Sequence, residues 1–173
     1  DSVVEIKDHS FYNCKNFDGF LTLSSSLKTI GCYAFYSCSG IIGDLIIPDS
    51  LIELGVSAFF RCYGFNGNLK IGKKLKEISQ NAFGYCGFTG ELVIPSNIEY
   101  VNNSAFFRCK SFDSIIIESG VKGIGEQAFY ETKGTSPIQS ITFQSNIDSI
   151  GNEAFKSSSI SVINYNGISP PTC

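Results

Sequence analysis

The sequence predicts a repeat solenoid, a rod of stacked coils whose parallel strands pair from one coil to the next. Three observations predict it: an Ala-Phe dipeptide that recurs along the whole chain, a pair of apolar residues before each copy, and a short apolar run after it. A constant period of this size is typical of stacked repeats rather than of a closed globular core. The repeat phenylalanines, spaced 24, 24, 24, 23, 23 and 26 residues apart, are Phe11, Phe35, Phe59, Phe83, Phe106, Phe129 and Phe155.

We therefore interpret residues 1–173 as one solenoid domain of seven repeats with a period of 23–26 residues. The chain starts at Asp1 inside a repeat, without an initiator methionine or a signal peptide, so we expect a segment of a longer protein. The approximate repeat boundaries are 1–24, 25–48, 49–72, 73–95, 96–118, 119–144 and 145–173.

The first element of each repeat is a pair of apolar residues three positions apart, such as Leu27 and Ile30. This segment is expected to be extended and to form a second, narrow ladder of strands. A glycine follows the pair in four repeats, which suggests a bend that needs a positive φ. These glycines are Gly31, Gly55, Gly125 and Gly151, and Ser79 and Asn102 take their place in two other repeats.

The Ala-Phe element is expected to contain turns, or at most a single helical turn, because no longer helical periodicity is present. The run that follows it has apolar outer residues, which predicts a strand with one face towards the core. Gly43, Gly67 and Gly90 precede such runs and are interpreted as turn residues. The predicted strands are residues 21–23, 45–47, 69–71, 92–94, 115–117, 141–143 and 163–165.

The segment from Leu45 to Cys62, LIIPDSLIELGVSAFFRC, resembles the BspA-like leucine-rich repeats, and similar copies cover essentially the whole chain. That family occurs on surface and secreted proteins of mucosal bacteria and parasitic protozoa. The resemblance implies a right-handed coil with the parallel sheet on its concave side. It also implies a location at the cell surface or outside the cell, and roles in adhesion and host interaction. No residue-level binding motif is shared across the family.

Five of the seven cysteines occupy one position, three residues after the repeat phenylalanine. We interpret them as a buried ladder of small, reduced thiols. Disulfides between neighbouring coils stay open as an alternative, because the strand spacing of ~4.8 Å lies within the range that they tolerate. A zinc site needs four convergent ligands, which a linear ladder does not supply. The ladder is Cys14, Cys38, Cys62, Cys86 and Cys109, continued by Thr132 and Ser158, while Cys32 and Cys173 are the thiols expected to be accessible.

Composition argues against several classes of function. The formal net charge is −3 without a basic block, so no nucleic-acid partner is expected. No apolar run approaches 18 residues, so we expect no membrane insertion by this segment. His9 is the only histidine, and nucleophile–histidine catalysis would depend on it alone. We therefore predict a chain that is not an enzyme, with no catalytic residue, no metal site and no cofactor.

The predicted binding residues lie where strand side chains point away from the core. Ile46, Lys70, Val93 and Ile116 form what we call the central strip, and its three β-branched residues indicate a contact surface. The strand preference of β-branched residues is an alternative explanation. Asp44 and Glu91 flank the strip and would favour a basic partner.

A second stripe, the aromatic ridge, follows the repeat phenylalanine. It serves either to pack coil on coil or as a platform for sugars or a protein. Its members are Tyr12, Tyr36, Phe60, Phe107 and Tyr130, with Gly84 and Lys156 as interruptions.

These features favour a non-catalytic interaction module that binds a host or extracellular-matrix protein through the strand face, since solenoids present extended surfaces. The alternative is a structural spacer or self-assembling element that associates through its open ends.

Overall fold

The computed structural model describes residues 2–132 and 138–166 and confirms the predicted fold class. These residues form fourteen strands and no helix, and every strand pair is parallel. Each coil contributes one two-residue strand and one strand that is longer in all coils but the first. The strands are β1 (Glu5–Ile6), β2 (Gly19–Phe20), β3 (Thr29–Ile30), β4 (Ile41–Ile46), β5 (Glu53–Leu54), β6 (Phe65–Lys70), β7 (Glu77–Ile78), β8 (Thr89–Ile94), β9 (Tyr100–Val101), β10 (Ser111–Ile117), β11 (Gly123–Ile124), β12 (Ile138–Phe143), β13 (Ser149–Ile150) and β14 (Ile160–Tyr165).

The short strands form the second, narrow ladder that the apolar pairs predicted. They make two sheets, β1-β3-β5 and β7-β9-β11-β13, and the longer strands make β2-β4-β6 and β8-β10-β12-β14. Both ladders are therefore interrupted between the third and the fourth coil.

The longer strands start earlier than predicted, and their glycines lie inside them. Gly43, expected in a turn, belongs to β4 with a φ of 82°, and the register with β6 shifts between Gly43 and Leu45. Glycine permits this irregularity because it adopts positive φ without a Cβ penalty. In the first coil the strand is confined to β2, so the predicted strand at residues 21–23 is not formed.

The repeat phenylalanines form the centre of the core. Phe59, Phe83, Phe106 and Phe129 are fully buried, and each ring stacks on the equivalent ring of the next coil. The spacing between ring centroids ranges from 5.0 Å to 5.8 Å and is widest between Phe59 and Phe83. One period in the sequence thus produces one continuous stack.

A second aromatic stack, which the period of the dipeptide does not reveal, lies beside the first. Phe65, Phe88 and Phe112 are buried, and the rings of Phe88 and Phe112 meet those of Phe83 and Phe106 edge to face. Isoleucines continue this position in flanking coils, at Ile41 and Ile138. Because this position is Phe in three coils and Ile in the two that flank them, it is less visible in the sequence than the Ala-Phe dipeptide.

The Ala-Phe element consists of consecutive turns. In the second coil, Ala34, Tyr36 and Cys38 donate backbone N–H groups to the carbonyl three residues earlier, while Phe35 N–H bonds to Ala58 O of the next coil at 2.7 Å. In every coil, the residue before Ala and the residue two after Phe have positive φ. Positive φ at the third position is the signature of a type II turn, which favours glycine or asparagine. These positions are His9, Asn13, Tyr33, Ser37, Ser57, Arg61, Asn81, Tyr85, Ser104, Arg108, Gln127, Glu131, Glu153 and Ser157.

The prediction that Gly31, Gly55, Gly125 and Gly151 need positive φ is wrong, since none has it. Their role is a close approach between coils. A Cβ at Gly125 would lie 2.6 Å from the backbone nitrogen of Asn103 in the preceding coil. The N–H of each of these glycines instead donates to a carbonyl of that coil, at 2.7 Å in every case.

Ser79 occupies this glycine position beside the interruption of both ladders. Its hydroxyl, not its backbone N–H, donates the hydrogen bond to the Leu54 carbonyl. In the coils that carry glycine or Asn102, the backbone N–H donates instead. The Ser79 hydroxyl thus takes the carbonyl that a backbone N–H binds in the other coils, at the boundary where β5 and β7 do not pair.

Candidate functional site

The central strip lies on the sheet face in the predicted register, as two pairs rather than one ladder. Ile46 pairs with Lys70, and Val93 pairs with Ile116. Strands β6 and β8 lie side by side without pairing, so the strip is interrupted between Lys70 and Val93. Ile46 is 57% exposed, whereas Val93 and Ile116 are half-buried. Ile46 is therefore the most exposed apolar member of the central strip.

A hollow of about 670 Å³ lies on the sheet face of the first three coils. Ile46 and Lys70 contribute to it, as does Asp44, but Val93 and Ile116 do not. It is lined by the apolar residues Phe20, Leu21, Leu23, Ile47 and Pro48, together with Gly43, Thr22, Ser25 and Asp49.

Phe20 is the most exposed large hydrophobic residue in the described chain, at 80%. Its ring lies against Gly43, where a Cβ would stand 2.5 Å from Phe20 Cδ1. The glycine thus provides both the positive φ of the bulge and the space for the ring. The sequence signal for Phe20 was available, since it is the one aromatic residue in the row that precedes each predicted strand.

The two predicted acidic residues differ in their surroundings. Asp44 Oδ1 accepts a hydrogen bond from Asn68 N–H at 2.7 Å, and Glu91 Oε2 accepts one from Ser114 Oγ at 3.0 Å. Asp44 lines the hollow and Glu91 does not. Asp49, which was not predicted, adds a second carboxylate, and the hydrogen bond from Lys73 lowers the pKa of that carboxyl.

The aromatic ridge is more continuous than predicted. The gap at Gly84 is filled by Tyr85, whose ring centroid lies 5.3 Å from that of Phe60 and 5.6 Å from that of Phe107. A Cβ at Gly84 would lie 2.7 Å from Phe60 Cε2, so the absence of a side chain at residue 84 leaves room for the Phe60 ring. The remaining contacts along the ridge are parallel stacks.

The cysteine ladder consists of free thiols, of which Cys14 is half-buried and the rest are buried. Each buried Sγ contacts the carbonyl of the repeat phenylalanine one coil back, for example Cys109 to Phe83 O at 3.0 Å. Thr132 and Ser158 make the same hydrogen bond through their hydroxyls. The position therefore requires a small side chain that can also donate a hydrogen bond.

Burial raises the pKa of the Cys38 and Cys109 thiols to about 12 and that of Cys86 well above its ordinary value. Cys32, expected to be accessible, is half-buried, and Cys173 lies outside the described residues.

His9 lies in the first turn element, with its ring stacked on Tyr33 at 5.1 Å between centroids. In the described ranges, no group of three or more His, Cys, Asp or Glu side chains is arranged to hold a metal ion. The same ranges contain no helix that could cross a membrane.

Comparison with known proteins places these features in a family. A family model described as the BspA type leucine rich repeat region matches residues 1–89 and 76–169, with six copies. No curated protein matches the chain significantly.

Two solved structures are similar. A leucine rich cell surface protein from Faecalibacterium prausnitzii A2-165 matches over 87% of this chain with a TM-score of 0.60 and 22% identity, and the chain spans 32% of that protein. A leucine-rich repeat protein from Bacteroides ovatus ATCC 8483 has a TM-score of 0.37 and 16% identity, over 91% of this chain and 69% of the other.

Proposed function

Because the chain belongs to the BspA-type leucine-rich repeat family, we propose that it is a non-catalytic module that binds a protein partner through its sheet face. The observation that carries the proposal is the hollow that Phe20 and Ile46 line, because these are two strongly exposed apolar side chains from neighbouring coils. Exposed apolar patches rimmed by polar groups are typical of protein contact surfaces. Asp44, Asp49 and Lys70 provide that polar rim.

We further propose that the parent protein displays the module at the cell surface, where it contacts a host or extracellular-matrix protein. The naming of the Faecalibacterium protein as a cell surface protein supports this location. Asp49 is paired with Lys73, but no lysine or arginine of the described residues lies within 4 Å of the Asp44 carboxylate, which favours a partner with a basic side chain facing it.

The test is a matched pair of substitutions, Ile46→Glu and Ile52→Glu. The two isoleucines are similarly exposed, at 57% and 53%, but only Ile46 lines the hollow. Covering Ile46 stabilises a complex by about 1–2 kcal/mol, and a buried unpaired carboxylate adds a desolvation cost. Ile46→Glu should therefore weaken binding by more than tenfold without lowering the melting temperature, while Ile52→Glu should change neither.

Binding is measured by biolayer interferometry against immobilised collagen, fibronectin, laminin and fibrinogen. Equal affinities for the two variants would remove the sheet face as the contact surface. Failure of the unmodified protein to bind any of these surfaces would count against a matrix partner.

Self-association is the alternative, and the last described coil favours it. Strand β14 lies at the outer edge of its sheet, with Val162 and Ile163 exposed. Ile163 was predicted to face the core, but within residues 2–132 and 138–166 this coil has a neighbour on one side only, and the position is uncovered there. Sedimentation velocity distinguishes the two functions, because end-to-end association increases the sedimentation coefficient with concentration and Val162→Lys should suppress the increase.

A further inference from the structure

Both arginines of the chain lie over one aromatic ring, that of Tyr85. The guanidinium carbons of Arg61 and Arg108 each lie 5.7 Å from the centroid of this ring, so they are separated by no more than twice that distance. Arg61 also lies 5.6 Å from the Phe60 centroid, and Arg108 lies 5.3 Å from that of Phe107. These distances are within the range of cation–π interactions.

The two guanidinium groups differ in how their charge is compensated. Arg108 Nε lies 2.9 Å from Glu131 Oε2, and Arg108 Nη1 donates to Tyr85 Oη at 3.2 Å. Arg61 is exposed, and no carboxylate of residues 2–132 or 138–166 lies within 4 Å of it. A chain with a net negative charge thus presents one uncompensated guanidinium in the middle of its aromatic ridge.

The ring faces of the ridge are already occupied. Tyr36 stacks on Phe60, and Phe107 stacks on Tyr130, with interplanar angles of 19° and 6°. The guanidinium groups lie over Tyr85 itself. A sugar binds an aromatic residue by laying its C–H bonds on a free ring face, and few such faces remain here. What the surface offers is ring edges, which carry positive partial charge, together with hydroxyl groups and guanidinium N–H donors.

We propose that Arg61, Tyr63, Tyr85 and Arg108 form an arginine pad that binds an acidic peptide segment of a partner protein, with a carboxylate paired to Arg61. Guanidinium binds carboxylate through two parallel hydrogen bonds, and the cation–π contacts of Arg61 with Phe60 and Tyr85 hold it in place for this. Tyr63 adds an aromatic side chain that is 51% exposed and meets Tyr85 edge-on at 6.1 Å. Tyrosine and arginine together are the residues that dominate binding at protein interfaces. The pad lies on the turn element, apart from the sheet face, so the inference is independent of the proposed function.

The probe is a fluorescein-labelled decapeptide of alternating glutamate and serine, with a glutamine–serine peptide of the same length as the neutral control. Anisotropy is measured at about 50 mM salt, where screening is modest. We expect the acidic peptide to bind and the neutral peptide not to bind. Arg61→Gln should weaken binding about tenfold, the loss of one charge-assisted pair. Arg61→Lys should recover part of this affinity, because it restores the charge without the planar fork.

Two controls accompany the measurement. Lys76→Gln removes an exposed cation elsewhere in the repeat and should leave binding unchanged within twofold. Ile46→Glu, which alters the sheet face, should also leave it unchanged, so failure of one surface does not imply failure of the other. Melting temperatures of all variants establish that they are folded.

Absence of acidic-peptide binding would overturn the proposal, as would binding that Arg61→Gln does not weaken. A third refuting outcome is Arg61-dependent binding of a heparin-derived hexasaccharide without binding of the peptide, which would assign the pad to an anionic polysaccharide.

Discussion

The interruption between the third and fourth coils predicts an unusual order of stability at position 79. Ser79 is buried, and its hydroxyl donates to the Leu54 carbonyl, whereas the backbone N–H makes this bond where glycine stands. Ser79→Ala retains the Cβ between the coils but removes the donor. Ser79→Gly removes both, so the two backbones can approach and the N–H of residue 79 can bond to Leu54 O.

The magnitudes follow from these contacts. Ser79→Ala leaves the carbonyl of a buried residue unsatisfied, which costs about 1–3 kcal/mol. Ser79→Gly replaces one hydrogen bond by another and costs about 0.5–1 kcal/mol through the greater backbone entropy of glycine in the unfolded chain. The glycine variant should therefore be the more stable of the two by about 1–2 kcal/mol. Propensity alone would give the opposite order, because alanine ordinarily exceeds glycine in stability.

Urea unfolding compares the three proteins, and thermal unfolding should show a difference of about 2–4 °C for each kcal/mol in a chain of this size. Amide hydrogen exchange reports on the bond itself. The N–H of residue 79 should exchange more slowly in the glycine variant than in the unmodified protein. An alanine variant as stable as the glycine variant, or unchanged exchange at position 79, would refute the role we assign to the Ser79 side chain.

The remaining predictions concern the core and the thiols. Phe83→Ala should lower the free energy of unfolding by about 3–5 kcal/mol, because the ring is fully buried between its neighbours. Phe20→Ala, at an exposed position, should change it by less than about 0.5 kcal/mol. Urea unfolding of both variants checks this. The free energy of unfolding should fall as the pH rises from about 9 towards 12, because the buried thiols, with a pKa raised to about 12, stay protonated in the folded protein while the unfolded chain loses those protons. An alkaline titration of stability checks this, and a Cys109→Ser variant that loses as much stability as the unmodified protein would contradict it. A maleimide reagent should label Cys62 and Cys86 only upon unfolding, as mass spectrometry of native and urea-treated protein would show.

Much of the fold could be predicted because every coil repeats the same environment. A position that recurs seven times with the same side chain, such as the repeat phenylalanine, indicates burial through its recurrence alone. The same argument placed the cysteines in one ladder and the central strip in one outward-facing row. Thr132 and Ser158 further indicated that the ladder position tolerates small side chains, although the hydrogen bond to the phenylalanine carbonyl was visible only in the structure.

The candidate site was predicted less completely. Ile46, Lys70 and Asp44 line the hollow, but its extent depends on Phe20 and on the loop around Asp49, which the repeat pattern does not bring together. Tyr85 was missed in the ridge because it stands one residue beyond the aromatic position of the other coils. The contacts of its ring with Phe60 and Phe107 are visible only in the structure.

The period, the residues of the main core and the parallel pairing of the strands follow from the sequence, since they depend on which side chains recur within one repeat. Other features depend on the contact between successive coils and emerge only in three dimensions. Gly125 serves a close backbone approach rather than a positive φ, and non-glycine residues such as Tyr33 adopt positive φ in turns that hydrogen-bond to the next coil. Two arginines 47 positions apart converge on one tyrosine. Each of these results depends on spacings of a few ångströms between neighbouring coils, and a repeat pattern read along a single chain does not contain those distances.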